Sequence, residues 1–249
     1  MNYNEFKLVK IEEVTYGVRI FSFEGDVPPY KPGNFFLIRL AGEDGTKIFR
    51  PFSSATHPSE HGLRFCVKKH TNASLAMEGA PASFAPMKKN STFTELLWKL
   101  RVGNTTEIDG PYGIFTLDEN DGERVFIAGG TGIAPLRSMI MQTILEEKRA
   151  HLFHSASNLS SLIYSDEMQL YEEKNQNFRF FPAVTREEMP HDWQGIHGRL
   201  TVETIAQKLG TLSGKTFYLC GPKEMIASLV KGLEASGVHK EKIKKEEWG

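Results

Sequence analysis

The segment GGTGIAP, residues 129–135, has the residue types that could bind a phosphate group. It follows an apolar run, residues 125–128, that is typical of a strand, and it precedes residues 136–145, which are typical of a helix. Glycines allow a tight turn and a close approach of backbone N–H groups to an anion, and the start of a helix adds the positive end of its dipole. The segment therefore predicts a phosphate-binding loop, although an ordinary strand-to-helix turn would use the same glycines.

A second segment, RPFSSAT at residues 50–56, combines three side chains that suit a flat, phosphorylated ligand. The guanidinium of Arg50 can bind phosphate through paired hydrogen bonds, the ring of Phe52 can stack on a heterocycle, and the hydroxyl of Ser53 can donate to a ring nitrogen. In a strand, Arg50 and Phe52 would project from one face and Ser53 from the other. The alternative is an edge strand with a surface arginine and a core phenylalanine.

A third segment, FYLCGPKEM at residues 217–225, places Cys220 at the end of another apolar run. A buried cysteine there could be only a small apolar side chain, and no sequence-adjacent His or Asp suggests a nucleophile pair. Cys220 and Gly129 both fall at the carboxyl ends of predicted strands. Ligands of open parallel sheets bind at those ends.

In this order and spacing, the three segments resemble the ferredoxin–NADP reductase family of flavoproteins, and the resemblance covers nearly the whole chain. It implies a β + α/β fold: an N-terminal antiparallel Greek-key β-barrel that binds FAD, residues 1–118, followed by a parallel-sheet α/β domain that binds NAD(P), residues 119–249. It also implies hydride transfer between the nicotinamide and the flavin. FMN suits the two-domain layout less well than FAD.

For the flavin, the resemblance implies that Arg50 binds the phosphates, that Phe52 packs on the isoalloxazine and that Ser53 hydrogen-bonds the ring nitrogen that accepts hydride. Further flavin-binding residues are expected beside this motif and before a short helix: Pro51, Val67, Lys68, Ser91, Thr92 and Thr94. Ser91 stands where the family usually has glycine, and the alternative for this turn is a plain helix N-cap. The neighbouring stretch 71–86 is expected to be a surface loop, a cover for the adenine end of FAD or a partner contact.

For the nucleotide, the resemblance implies that Cys220 positions the reacting carbon of the nicotinamide and that Thr131 also meets this end. The remaining expected contacts come from the two glycine-containing segments: Gly130, Gly132, Pro135, Gly221 and Pro222.

The choice of coenzyme depends on the residues that would face the adenosine ribose. Thr185 and Arg186 resemble the Ser-Arg pair that binds the 2′-phosphate in relatives that use NADPH, and Arg199 resembles a second phosphate-binding arginine. These residues favour NADPH. The pattern Trp193-x-Gly195-x-x-Gly198 resembles relatives that use NADH, so both coenzymes stay open.

Near the end of the sequence, Glu246-x-Trp248 matches the Glu-x-aromatic form that is frequent in the family. The resemblance implies that Trp248 shields the flavin until nicotinamide displaces it, and that Glu246 relays a proton or orients a reacting group. The alternative for Trp248 is a packing anchor.

The predicted secondary structure around these residues changes at residues 118–123. This stretch is polar and predicts a linker. Before it, short strands at residues 14–23, 35–40 and 64–68 and a turn at 110–113 suit a small barrel. After it, strands alternate with helices, which predicts a parallel sheet covered on both faces. The expected strands and helices lie at residues 125–128, 136–147, 151–154, 163–174, 178–184, 201–209, 217–220 and 224–236.

Composition limits the class of protein. The net charge of −1 argues against nucleic acid as the main partner, and we expect the dense basic run 240–245 to be a solvated face. No apolar stretch approaches the roughly 20 residues of a membrane span, and the first ten residues lack a signal-peptide core, so we expect a cytoplasmic protein. We also expect a monomer. We expect no metal site, with His151 and His154 structural.

The chain has two cysteines, whereas a cysteine-ligated iron–sulfur cluster normally needs four. We therefore expect a stand-alone, FAD-dependent ferredoxin (flavodoxin)–NAD(P)H reductase whose one-electron carrier, a ferredoxin or flavodoxin, is a separate chain. The alternatives are a reductase for free flavin or a small acceptor, a reductase component of an oxygenase and, from another class, a non-catalytic flavin-binding regulatory subunit.

Overall fold

The computed structural model of this chain describes residues 4–42, 45–69, 93–189 and 191–248, and for Trp248 it describes the backbone alone. The predictions for Ser91, Thr92 and the stretch 71–86 therefore lie outside the described residues. The same holds for the predicted role of the Trp248 ring.

The first half of the described chain forms an antiparallel sheet of six strands in the order β4-β3-β6-β1-β2-β5. These strands are β1 Asn4–Thr15, β2 Val18–Glu24, β3 Phe35–Ala41, β4 Lys47–Ser53, β5 Leu63–Lys68 and β6 Thr105–Tyr112. One face is packed largely with phenylalanine rings, and helix α1, Phe93–Lys99, adds Leu96 and Leu97 to the same core. Because β6 inserts between β3 and β1, the order confirms the predicted Greek-key barrel.

The second half forms a parallel sheet of six strands in the order β10-β9-β8-β7-β11-β12. The strands are β7 Glu123–Gly129, β8 Ala150–Ala156, β9 Phe178–Val184, β10 Ile196–His197, β11 Lys215–Pro222 and β12 Ile243–Trp248. The helices are α2 Ile133–Leu145, α3 Ser165–Lys174, α4 Val202–Leu209 and α5 Lys223–Ala235. No helix in the described part of the chain is both long and apolar enough to cross a membrane.

The sheet of the second half is buried on both faces, as predicted. Along β7, Phe126 and Ala128 belong to one apolar cluster with α2, whereas Val125 and Ile127 belong to another with α5. This alternation of two buried faces explains why β7 is apolar at every one of these positions.

Two local predictions in the barrel are wrong. The single strand expected at 14–23 is a hairpin, because Gly17 takes φ +71° and turns the chain between β1 and β2. The turn expected at 110–113 begins inside β6. A side chain at Gly110 would come within 2.4 Å of the Phe36 ring, so this glycine is needed for packing inside the strand.

The basic run 240–245 is not only a solvated face, because β12 begins within it. Ile243 is buried in the core, and its Cα pairs with that of Phe217 on β11. The Nζ atom of Lys242 lies 3.8 Å from Asp121. Lys240 and Lys245 are exposed, as expected.

The predicted linker is anchored to the second sheet. The carboxylate of Asp121 is buried and accepts hydrogen bonds from Thr216 Oγ1, at 2.7 Å, and from the hydroxyl of Tyr218. The guanidinium of Arg124 donates to the carbonyl of Asp118 over 3.1 Å. The stretch between the two sheets is therefore packed rather than loose.

Candidate functional site

The glycine-rich segment forms the strand-to-helix turn that its sequence predicts. β7 ends at Gly129, residues Gly130–Gly132 form one 3₁₀ turn, and α2 starts at Ile133. A Cβ atom on Gly132 would lie 2.1 Å from the carbonyl oxygen of Cys220. The glycine is required because this turn lies directly on the end of β11.

The outer side of the same turn leaves room for a ligand. Gly130 takes φ +52°, and a Cβ atom on it would meet nothing within 4 Å. The N-cap of α2, Gly132, has no side chain that could bond the first N–H groups of the helix. The N–H of Ile133 is bonded to carbonyls of the turn and Pro135 has no N–H, so a nucleotide phosphate would bind here through the helix dipole and the other backbone N–H groups of the turn.

His154, at the end of β8, supports this turn from inside the sheet. Its ring is fully buried, and Nε2 lies 3.0 Å from the carbonyl oxygen of Gly130. Burial lowers the pKa of His154 to about 4, although this hydrogen bond acts in the opposite direction. The ring is therefore neutral at pH 7, and its Nε2–H must be the donor because a carbonyl only accepts.

Sequence reasoning treated His154 as structural and missed its contact with the turn. The available signal was its place in an apolar strand of the same parallel sheet. In the structure, it pairs with Ala128 of β7.

The end of β11 brings together Cys220, Glu246 and, from the barrel, Ser53. Cys220 is 1% exposed, and its Cα pairs with that of Glu246 on β12. The hydroxyl of Ser53 donates to Oε1 of Glu246 over 2.7 Å. Burial raises the pKa of Glu246, and the hydrogen bond from Ser53 opposes that shift.

Within β4, the side chains alternate as predicted. Arg50 and Phe52 lie opposite Ile38 and Phe36, which are both buried in the barrel, so Ser53 projects from the other face. Among the described strands, β4 is at the edge of the barrel sheet and has β3 as its hydrogen-bonded neighbour.

The side chains of Arg50 and Phe52 are held by local contacts. The guanidinium of Arg50 donates to the carbonyl of Phe49 over 2.8 Å, and its partial burial lowers its pKa. The ring of Phe52 is tilted against that of Phe93 on α1, with 5.7 Å between centroids. Its role in stacking on the flavin stays a prediction.

The other predicted flavin contacts are less uniform in position. Pro51 is exposed on the outward face of β4, and Lys68 is exposed at the end of β5. Thr94 is buried in the first turn of α1. The side chain of Val67 lies in the phenylalanine-rich core, which leaves only its backbone for a ligand.

The predicted ribose-binding arginines lie at the ends of neighbouring strands. Arg186 follows β9 and Arg199 follows β10; both side chains are exposed, and the amide of Gly198 donates to the carbonyl of Val184 over 2.8 Å between them. The hydroxyl of Thr185 donates to the carbonyl of Ala156 over 3.2 Å. The strand pairing thus places both residues after the carboxyl ends of neighbouring strands.

The Trp193-x-Gly195 pattern has a packing explanation. A Cβ atom on Gly195 would lie 2.2 Å from the Trp193 ring, and that ring packs edge-on against His197 at 4.9 Å. Gly195 is needed to accommodate the indole.

No cluster of three or more His, Cys, Asp or Glu side chains in the described ranges could hold a metal ion. His151 instead lies 2.7 Å from Glu123, near the start of β8.

Two family models match the two halves of the chain. Residues 5–117 match the oxidoreductase FAD-binding domain, and residues 126–231 match the oxidoreductase NAD-binding domain. The chain belongs to the ferredoxin–NADP reductase-like family of flavoproteins. It is accordingly an oxidoreductase that binds FAD and a nicotinamide nucleotide.

Curated relatives of this family member include one subunit of the Na⁺-translocating NADH-quinone reductase in several bacteria. The subunit of Yersinia enterocolitica is 28% identical over 250 residues, and that of Pseudoalteromonas atlantica is 27% identical over 252. Each match covers 97% of this chain and 59% of the relative. The chain therefore spans about three fifths of the length of these relatives.

Solved structures share the fold of this flavoprotein. The FAD/NAD-binding domain of a Vibrio cholerae nitric oxide dioxygenase has a TM-score of 0.82 at 20% identity, with each chain covered completely. A ferredoxin NADP⁺ reductase of Neisseria gonorrhoeae has a TM-score of 0.78 at 23% identity, with 99% of both chains covered. A cytochrome P450 reductase of Amycolatopsis has a TM-score of 0.80 at 20% identity and matches 99% of this chain and 69% of its own.

Proposed function

We propose that this protein is a ferredoxin (flavodoxin)–NAD(P)H reductase: it takes hydride from NAD(P)H and passes electrons to a separate one-electron carrier protein. The observation that carries this function is the 2.7 Å contact between Ser53 and Glu246, which joins the flavin motif of the barrel to the strand beside Cys220. When bound, FAD would supply the chemistry of accepting a hydride and of releasing two electrons one at a time. Residues 1–118 form the flavin domain and residues 119–249 the nucleotide domain.

The protein's own residues align the reactants and exclude water. Cys220, at the end of a buried strand, positions the nicotinamide against the flavin. The glycine-rich turn and the start of α2 bind the phosphates of the nucleotide, and His154 holds the turn through Gly130. Trp248 lies at the end of β12, where its ring would shield the flavin.

Ser53 and Glu246 handle a proton at the flavin nitrogen that accepts hydride. When Glu246 is ionised, the single hydroxyl hydrogen of Ser53 is donated to the carboxylate. When Glu246 is protonated, its O–H can donate to Ser53 Oγ, which releases the serine hydrogen for the flavin nitrogen. The raised pKa of Glu246 favours this protonated form.

NADPH is the coenzyme that the arginine pair favours. Arg186 and Arg199 provide two guanidinium groups at adjacent strand ends, and a 2′-phosphate binds such donors through charge-assisted hydrogen bonds. NADH is the second candidate, because NADH appears in the name of the Na⁺-translocating relatives.

A reductase component of an oxygenase is the second candidate function. A ferredoxin reductase of carbazole 1,9a-dioxygenase and a cytochrome P450 reductase both share this fold. Such a component also delivers electrons to another protein, so the two functions differ in the acceptor alone.

The decisive experiment is an anaerobic titration of the purified protein with NADPH and NADH in parallel, followed by the visible flavin spectrum. We expect bleaching by both, faster with NADPH. A colourless protein, or a yellow one that neither nucleotide bleaches, would contradict the reductase and favour a non-catalytic protein that only binds flavin. Ferredoxin-stimulated cytochrome reduction then tests the carrier, and no stimulation by several ferredoxins or flavodoxins would favour the oxygenase component or a small acceptor.

Replacing Arg186 tests the coenzyme preference. We expect Arg186→Ala to raise the KM for NADPH roughly tenfold, because a charge-assisted hydrogen bond contributes about 1.5–3 kcal/mol, and to leave the KM for NADH unchanged. The matched control is Arg179→Ala on β9, whose guanidinium donates to the carbonyl of Phe178. Equal effects on both coenzymes would remove the preference for NADPH.

A further inference from the structure

Arg137, on the second turn of α2, is almost fully buried at the contact between the two halves of the molecule. Its side chain is 3% exposed, and each of its five N–H groups donates a hydrogen bond. Two go to Glu60, at 2.7 and 3.0 Å, and two to Glu167 on α3, at 2.6 and 2.7 Å. The fifth goes to the carbonyl of Ala55 over 2.7 Å.

These partners belong to opposite halves of the chain. Glu167 lies in the second half, whereas Glu60 and Ala55 lie in the segment that follows β4. Arg137 comes two residues after Pro135, the end of the glycine-rich segment, and Ala55 comes two residues after Ser53. The guanidinium thus joins the chain just beyond the nucleotide motif to the chain just beyond the flavin motif.

Two further hydrogen bonds connect α2 to the segment 54–60. The hydroxyl of Ser138 donates to the carbonyl of Thr56 over 2.9 Å. Nε2 of His57 lies 2.8 Å from Oε1 of Gln142. Three successive contacts therefore fix the sliding and the rotation of α2 relative to the segment 54–60.

The carboxyl group of Glu60 is ionised at neutral pH. Although burial alone would raise the pKa of Glu60, Arg137 and Arg64 hold it at about 2. The carboxylates of Glu60 and Glu167 also keep other partners, Arg64 and the Tyr171 hydroxyl. Loss of one bond to Arg137 would therefore not leave either carboxylate isolated.

We propose that Arg137 is a positioning residue for hydride transfer, which sets the distance and angle between the nucleotide loop and the flavin-binding strand. This role rests on the proposed function, since it requires a nicotinamide and a flavin to be aligned. Arginine is needed because a planar fork with five donors fixes an orientation that a lysine ammonium cannot. A misplacement of about 1 Å can slow such a reaction on the order of a hundredfold.

The test is Arg137→Lys, which keeps the positive charge and removes the planar guanidinium with its five N–H donors. We expect the rate of flavin reduction at saturating NADPH to fall roughly ten- to a hundredfold and the flavin–nicotinamide charge-transfer absorbance to weaken. FAD content and the Kd of NADP⁺ should stay within about twofold of the wild type, because neither binding motif is altered.

The matched control is Arg124→Lys. Arg124 is also fully buried and also bonds α2, at Thr143 and Glu146, but it does not contact the segment 54–60. We expect it to lower stability without slowing flavin reduction in the folded protein. Equal effects of Arg137→Lys and Arg124→Lys on the rate of flavin reduction would overturn the role of Arg137. If the flavin of the wild type is still reduced by NADPH or NADH, that result would leave the proposed function intact.

Glu60→Gln provides a second variant if Arg137→Lys does not fold. The amide keeps the shape of Glu60 but can accept from Arg137 through one oxygen only. We expect a slower reduction with unchanged NADP⁺ affinity, and an unchanged rate would contradict the proposed positioning. Failure of NADPH and NADH to reduce the wild type would instead refute the proposed function itself.

Discussion

At the amino-terminal end of the parallel sheet, Glu123 lies between the ammonium of Lys215, with Nζ at 2.9 Å, and the ring of His151, with Nε2 at 2.7 Å. Burial lowers the pKa of His151, so Lys215 is the cation of this pair. Near the carboxyl-terminal end, Glu246 bonds the neutral hydroxyl of Ser53, and no described Lys, Arg or His forms an ion pair with it. Burial acts in the same direction on both carboxyl groups, but hydrogen bonds from Lys215 and His151 outweigh it at Glu123 and lower that pKa, whereas the pKa of Glu246 is raised. At the amino-terminal end of the sheet, the charge of Glu123 is therefore compensated by partners within the protein.

The glycines at the two ends of the parallel sheet also differ in what they do. Gly214, just before β11, has φ +74° and space around it, so it serves its own turn. Gly132 fits between two chain segments, against the carbonyl of Cys220. One end of the sheet is built for stability, and the other combines close backbone approach with a carboxyl group whose ionised form is disfavoured. This contrast agrees with ligand binding at the carboxyl ends of the strands.

The largest expected effect comes from Gly132→Ala. The new methyl group would clash with Cys220 at 2.1 Å and force the turn away from β11, so we expect nucleotide-dependent flavin reduction to fall at least about a hundredfold. The control Gly214→Ala should cost about 1–2 kcal/mol of stability, because its φ is positive, and leave the reduction rate unchanged. Stopped-flow reduction and thermal unfolding measure both. A fully active Gly132→Ala protein would contradict the close packing.

Ser53→Ala tests the functional side of the comparison. Without the hydroxyl, neither Glu246 nor the flavin nitrogen receives its hydrogen bond, and we expect flavin reduction by NADPH to slow about tenfold or more. Thr216→Val, at the amino-terminal end, removes a hydroxyl bond to buried Asp121 and should cost about 1–3 kcal/mol of stability with no change in rate. Unchanged hydride transfer in Ser53→Ala would refute the role assigned to this residue.

The smallest and most specific effect is a pair of opposite pH dependences. Because the folded-state pKa of Glu246 is raised, the folded protein binds more protons than the unfolded one, and stability falls as pH rises above the ordinary glutamate pKa. Glu246→Gln should therefore stabilise the protein at pH 7 and have little such effect near pH 4. The lowered pKa of Glu123 gives the reverse: Glu123→Gln should destabilise at pH 7, and the difference should vanish as pH falls through the folded-state pKa.

Denaturant unfolding at pH 4, 5, 6, 7 and 8 measures both variants against the wild type. The same sign of the effect at pH 7 for the two substitutions would contradict the distinction between the two ends of the sheet.

The sequence predicts the parallel sheet well because its signals are local. The strand expected at 178–184 is β9, and the glycine-rich turn follows β7 at the expected residue. Apolar runs of strand length, bounded by glycine or polar residues, are sufficient for such predictions.

The sequence does not predict β12, because its segment IKKEEW has one apolar residue before the final tryptophan and many charges. This segment is a strand because it pairs with β11, with Ile243 opposite Phe217, and that pairing is a tertiary effect. Ser53 and Glu246 were each predicted, but their contact follows only from the packing of β12 near the barrel.

Arg137 was not predicted at all. An arginine in a helix is usually exposed, and its acidic partners come from two separate segments. The one available signal was its position in an apolar run, between Leu136 and Met139, both of which are fully buried.

The contact between Ser53 and Glu246 joins residues separated by 193 positions along the chain. At roughly 5–20 residues per second, a ribosome adds Glu246 about 10 to 40 seconds after Ser53. The last two barrel strands, β5 and β6, are made in the meantime, so the flavin domain can fold before its serine has a carboxylate partner. The contact between Ser53 and Glu246 is therefore a late step of biogenesis. It can form only in a chain that has been synthesised through β12.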